Sequence, residues 1–113
     1  MNLSIREESG IVVLCLEGRL VLNDGDVELR DACKQALDAG SRIMLLNLAD
    51  MTYVDSAGLG EIAGCFKAVS ALGGRIMICE PRPAVIKLLK LTGLSKVMGV
   101  AASEAEALAA LQS

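Results

Sequence analysis

Apolar positions fall along this chain in short solid blocks, separated by polar or glycine-bearing breaks. Two extended runs open it, residues 3–7 and 11–17, parted by Glu8-Ser9-Gly10 as a hairpin turn. Ile11 to Leu16 is apolar without interruption, the pattern of a strand covered on both faces. "GRLVLNDGD" then breaks the pattern, and Asp24 or Asp26 is placed to cap a helix. That helix turns Val27, Leu29, Cys33, Ala36 and Leu37 inward and closes at Gly40. Ile43 to Leu48 predicts a buried parallel strand, followed by a helix over roughly 57–72 with Leu59, Ile62, Phe66 and Val69 at helical spacing. "LGG" at 72–74 ends that helix, and Arg75 to Cys79 gives a third buried strand. Pro81 and Pro83 stop the strand and pre-set a helix with Val85, Leu88 and Leu89 inward, ended by Gly93. Val97–Val100 reads as an edge strand, and Ser103 with Glu106 forms a capping box for a last helix that buries Leu108 and Leu111.

Strands alternating with helices imply crossovers and an α/β fold. The expected architecture is a central mixed, mostly parallel sheet with an N-terminal hairpin strand, packed with about four helices. Residues 1–113 read as a single domain, too short for two independent cores and without linker, repeat or low-complexity tail.

Composition narrows the function more than the fold. The hydrophobic share is 53% with 2% aromatic, so the core is aliphatic. The longest unbroken apolar run is six residues, Ile11 to Leu16, far short of the roughly 20 that span a bilayer. "MNLSIREE" carries acidic residues where a secretory signal needs an apolar stretch. The expectation is a soluble, cytoplasmic protein with no membrane insertion. Net charge is −3 and no basic cluster occurs, which removes the phosphate contacts that drive nucleic acid binding. One Tyr, one Phe and no Trp leave no stacking platform for bases.

There is no histidine, so neither a Ser-His-Asp nor a Cys-His site can be assembled from this chain alone. Cys15, Cys33, Cys65 and Cys79 form no C-x-x-C pair and sit in apolar segments, the setting of reduced thiols acting as small hydrophobes. A structural zinc site would need ligands paired at short spacing.

The informative stretch is Tyr53 to Ile62, "YVDSAGLGEI". Ser56 stands just before the predicted helix, where its oxygen could serve only to accept a first-turn N–H. Three details argue for more. Gly58, Gly60 and Gly64 crowd one helix at roughly 1 kcal/mol each relative to alanine, which implies close approach to this backbone. Asp55, beside Ser56, already supplies a capping oxygen. The stretch also follows a parallel strand, and ligands of open α/β sheets bind beyond carboxyl strand ends. Phosphorylation of an exposed serine here would add a charge of roughly −1.5 to −2, tolerated by the helix dipole and opposed by Asp55. A partner fitted to a neutral, glycine-lined surface would be repelled. Such a site is a binding switch, with no catalytic residue of its own.

A rival pattern overlaps it. Gly58-x-Gly60-x-x-Ala63, with Glu80 20 residues after Gly60, matches a dinucleotide-binding fingerprint. Its context fails, because ten residues, 48–57, separate the apolar strand from the first glycine. Asp24, Asp26, Glu28, Arg30 and Asp31 read as a solvated helix start, and Lys87 and Lys90 as charges favourable to a helix C-terminus.

"LNLADMTYVDSAGLGEI" followed by "GGRIMICEPRPAVIKLLKLTGL" resembles the STAS domain family (sulfate transporter and anti-sigma factor antagonist) over nearly the whole chain. Two motifs carry the resemblance: Asp55-Ser56-Ala57-Gly58-Leu59-Gly60, and Leu91-Thr92-Gly93-Leu94 after the proline-led helix. The resemblance implies a bacterial anti-sigma factor antagonist working by partner switching. Unmodified, such a protein binds an anti-sigma factor serine kinase; phosphorylated on the motif serine, it dissociates; a phosphatase resets it. Mapped onto this chain, Ser56 is the phosphoacceptor, and Asp55, Ala57, Gly58 and Gly60 shape the docking surface. ATP belongs to the partner and no cofactor to this chain. Many members carry an aspartate directly after the G-x-L of the second strand; here Val21 follows Gly18-Arg19-Leu20, with Asp24 in the next loop as the acidic candidate. The same resemblance covers accessory subunits of lipid-transporting ABC systems and scaffold subunits of signalling complexes, and the glycine pattern leaves a nucleotide-binding enzyme as the reading from another class.

Overall fold

The computed structural model describes residues 1–113. Its elements are β1 (Asn2–Glu8), β2 (Ile11–Leu20), α1 (Asp26–Asp38), β3 (Ile43–Asn47), β4 (Met51–Val54), α2 (Ser56–Ala71), β5 (Arg75–Cys79), α3 (Pro83–Leu91), α4 (Leu94–Val97), β6 (Gly99–Ala101) and α5 (Glu104–Gln112). The mixed sheet runs β1-β2-β3-β5-β6, with β1 antiparallel to β2 and the rest parallel. No helix is long and apolar enough to cross a membrane.

β2 organises the molecule. Its first half pairs with β3, Val12 to Cys15 against Met44 to Asn47, and its second half with β4, Gly18 to Leu20 against Met51 to Val54. The register slips between Gly18 and Arg19, and Gly18 sits at φ +97°, a conformation that glycine adopts without steric cost. Alternate residues of β2 feed two cores, as the pleat requires. Val12, Leu14 and Leu16 face α1, α2 and α3, whereas Ile11 and Val13 meet Ala107 and Leu111 of α5. Each fully buried aliphatic side chain is worth about 1.5–3 kcal/mol, and this two-sided burial fixes the sheet.

Four readings of the sequence are corrected. β4 lies within residues 48–57, read as separating the apolar strand from the first glycine, because the second half of β2 needs a partner. α1 is capped by Gly25, in the left-handed region at φ +96°, rather than by Asp24 or Asp26. With the helix starting at Asp26, Val27 faces outward and is 45% exposed, and the buried row is Leu29, Ala32, Cys33 and Leu37. Val97 closes the short α4, which restarts after Gly93 at φ +79°, so the edge strand β6 begins only at Gly99.

Candidate functional site

The start of α2 is built by Asp55. This residue is the helix cap, in extended conformation, and Ser56 is the first helical residue, which corrects the reading of Ser56 as the cap. Asp55 Oδ1 accepts from the Gly58 N–H at 2.8 Å, and Oδ2 accepts from the Leu22 N–H at 3.0 Å. One carboxylate thereby satisfies a first-turn donor of α2 and tethers the loop after β2. The two amides, that of Leu22 foremost, hold the Asp55 carboxyl below the usual carboxylate range, so it is ionised at neutral pH.

Capping by its neighbour leaves the Ser56 side chain exposed and free of any protein hydrogen bond. Ala57 is half-buried. The two glycines of the motif part company. Gly58 is buried; a Cβ there would come within 2.7 Å of Val54 Cγ2 and closer still to the Leu20 carbonyl oxygen. It permits α2 to pack on β2 and β4, so the close approach inferred from the sequence is internal, and Gly58 supports the surface from beneath. Gly60 is exposed, and a Cβ there would meet nothing within 4 Å.

Asp24 lies in the tethered loop. Val21 and Asp24 exchange backbone hydrogen bonds at 3.0 Å each, and Asn23 turns the chain at φ +63°. The Asp24 carboxylate accepts from the ammonium of Met1 at 2.8 Å and stays more than half exposed. The Asp55–Leu22 bond therefore brings Asp24's loop beside the Ser56 helix start. The sequence reading missed Leu22, 63% exposed on that loop, and Tyr53, half exposed on β4 beneath the Arg19 guanidinium at 5.4 Å. Leu22 had left a trace: with Leu20 and Val21 it carries the apolar run up to the polar turn residues Asn23 and Asp24. A second missed feature is the ion pair of Arg30 on α1 with Glu61 on α2, one residue past Gly60.

The dinucleotide pattern fares differently from its sequence argument. β4 ends one residue before α2, so a strand does lead into the glycines. What the geometry removes is room: the space above Gly58 holds Leu20 and Val54, and its N–H is taken by Asp55. Glu80 is engaged elsewhere, its Oε2 accepting from the Glu104 N–H at 2.9 Å at the start of α5.

The STAS domain family matches residues 2–107. The anti-sigma F factor antagonist of Paenibacillus polymyxa is 31% identical over 114 residues, covering 99% of this chain and 97% of that protein. The anti-sigma factor antagonist SpoIIAA in its unphosphorylated form shares the fold at TM-score 0.78 and 21% identity, over 98% of each chain. The Bacillus cell fate determinant SpoIIAA in its phosphorylated form gives TM-score 0.76 and 25% identity, covering 95% of this chain and 96% of that one. Matched by sequence along almost its whole length and by the hairpin-led sheet, the chain belongs to the STAS domain family.

Proposed function

We propose that this chain is an anti-sigma factor antagonist acting in the cytoplasm as a phosphorylation-controlled switch. Unmodified, it binds an anti-sigma factor that is also a serine kinase; phosphate on Ser56 ends the contact, and a phosphatase restores it. Ser56 is the phosphoacceptor. The supporting observation is the exposed first-turn hydroxyl, left free because Asp55 does the capping. The names of the relatives support the regulatory role, and one relative is described in a phosphorylated form.

The switch needs little structural change. An added charge of roughly −1.5 to −2 would lie beside an ionised Asp55, with Leu22 and the bare backbone at Gly60 as neighbouring contact surface. Like charges brought together at an interface cost several kcal/mol, roughly, so a partner fitted to the neutral surface is expelled. The protein acts as substrate and ligand, and ATP is bound by the kinase.

The test has two parts. Incubation with the kinase and ATP, then mass spectrometry, should locate one phosphate on Ser56. Ser56→Ala should hold the partner persistently and Ser56→Asp should bind it poorly; equal affinity of the two variants would refute the switch.

A further inference from the structure

In a chain of net charge −3, residues 81–103 carry Arg82, Lys87, Lys90 and Lys96 and no acidic residue. Read from the sequence, Lys87 and Lys90 serve the dipole of their helix, but α3 closes without them. Thr92 Oγ1 donates to the Leu88 carbonyl at 2.9 Å, and the Gly93 N–H to the Lys90 carbonyl at 3.2 Å. Lys87, Lys90 and Lys96 are exposed, and every ion pair of the protein is made by other residues. Among these free cations stand Leu91, 73% exposed, and Val97, 57% exposed. Leu91 lies one turn on from Lys87 on the same helix face. Val97 follows Lys96 on α4, which packs against α3.

Val97 also lines a groove of about 330 Å³. Phe66 of α2 with Ile76 and Met77 of β5 gives the groove apolar walls, Arg75 adds a cation, and no carboxylate lines it. The flanking acids are elsewhere: Glu80 accepts from the Glu104 N–H beyond the carboxyl end of β5, whereas the groove opens at that strand's beginning. A larger groove of about 440 Å³, between α1 and α2, differs in kind. There Arg30 pairs with Glu61 and Lys34 with Asp38, so its cations are already neutralised.

We propose that the basic face of α3 and α4, with its apolar groove, is a second docking site, for an acidic amphipathic segment of a partner protein. Charge complementarity selects the occupant: carboxylates meet Lys90 and Lys96, and apolar side chains cover Val97 and enter the groove. A membrane surface suits the face less, because Val85 and Leu89 are spent in the core and α3 has no apolar stripe left to insert. Nucleic acid would engage the lysines and leave the apolar walls uncovered. Ser70, on the groove wall, lies roughly 21 Å along α2 from Ser56 at 1.5 Å per residue. That is about twice the roughly 10 Å over which 0.1 M salt screens a charge. The site therefore works in either phosphorylation state of Ser56, and the protein can hold two partners at once.

The experiment is fluorescence anisotropy of a labelled short peptide alternating leucine and glutamate, titrated with the whole chain. The peptide should bind, a leucine–lysine peptide should not, and raising salt from about 0.05 to about 0.5 M should weaken binding several-fold. Lys90→Glu combined with Lys96→Glu should weaken it at least roughly 10-fold. Val97→Ser, at an exposed position, should weaken it roughly 10-fold through lost apolar cover. Lys34→Glu, in the other groove, and Ser56→Asp should leave the peptide's affinity unchanged. Thermal melts on every variant separate lost binding from lost folding. Equal binding of the leucine–lysine peptide, no binding of the acidic one, or full affinity in the double lysine variant would overturn the site. Loss of the peptide in Ser56→Asp would place this face inside the switch surface and overturn its independence. Displacement of the peptide by phosphatidylglycerol vesicles or single-stranded DNA would reassign the face to a membrane or a nucleic acid.

Discussion

Two helices of this protein begin at a serine, and the two serines have opposite fates. Ser103 caps α5: its Oγ accepts from the Glu106 N–H at 3.1 Å. Around it Glu80 accepts from the Glu104 N–H, while the Glu104 carboxylate holds Arg6 and, at 3.0 Å, the Asn47 side chain. That helix start is sealed by its own contacts. Ser56 stands one position further into α2, because Asp55 takes the capping role and its hydroxyl remains with solvent. A helix start becomes available to a modifying enzyme when a neighbour satisfies the backbone and frees the side chain. The carboxylate that frees Ser56 is also the charge that a phosphate would have to face.

The sharpest way to break this comparison is to disturb the packing under the open start. Gly58→Ala would force a Cβ against Val54 and the Leu20 carbonyl. Overpacking of this kind costs about 1–3 kcal/mol. Urea denaturation should read that loss as a lower midpoint at unchanged slope. A variant within about 0.5 kcal/mol of the parent would mean that α2 sits less firmly on β2 than described. The serines themselves come next. Ser103→Ala should cost about 1 kcal/mol, the ordinary value of a lost cap. Ser56→Ala should stay within about 0.5 kcal/mol of the parent, since no cap is lost. Equal losses by thermal and urea melts would erase the distinction between the two helix starts.

How much of this was legible follows from where the information resides. Solid apolar runs such as Ile11 to Leu16 and Ile43 to Leu48 announced the sheet, and Ser103 with Glu106 announced α5. β4 escaped because "MTYV" is four residues with two exposed, and only the continuation of β2 past Gly18 makes it a strand. α4 escaped because four residues carry no periodicity. At the site, the motif gave the right stretch but not the division of labour. Asp55 and Ser56 compete for one cap in the sequence, and the winner is set by the Leu22 amide 33 positions away. Gly58 and Gly60 look alike until the neighbours of each are known.

Gly60 supplies a smaller contrast with Gly58. Open space surrounds it, and glycine inside a helix is less favourable than alanine. Gly60→Ala should therefore stabilise the fold by about 0.4–1 kcal/mol. A bulky replacement, Gly60→Leu, should weaken partner binding by more than any change in its melting temperature explains. Binding loss fully accounted for by a folding loss would show that this glycine serves the fold alone.

The least disruptive probe is pH, and it addresses the carboxylate that the two roles share. Backbone amides, that of Leu22 first and then that of Gly58, depress the Asp55 carboxyl in the folded protein. A depressed value means that the ionised form is the one favoured by folding, so the contribution is complete above the unfolded value of about 3.9. It is lost as pH falls through the lower, folded value. The amide resonances of Leu22 and Gly58 should move together along one curve with its midpoint below about 3.9. A midpoint at or above 3.9 would detach the loop from the helix start. The Ser56 hydroxyl would then owe its freedom to something other than the tether, and the charge opposing its phosphate would no longer be fixed in place.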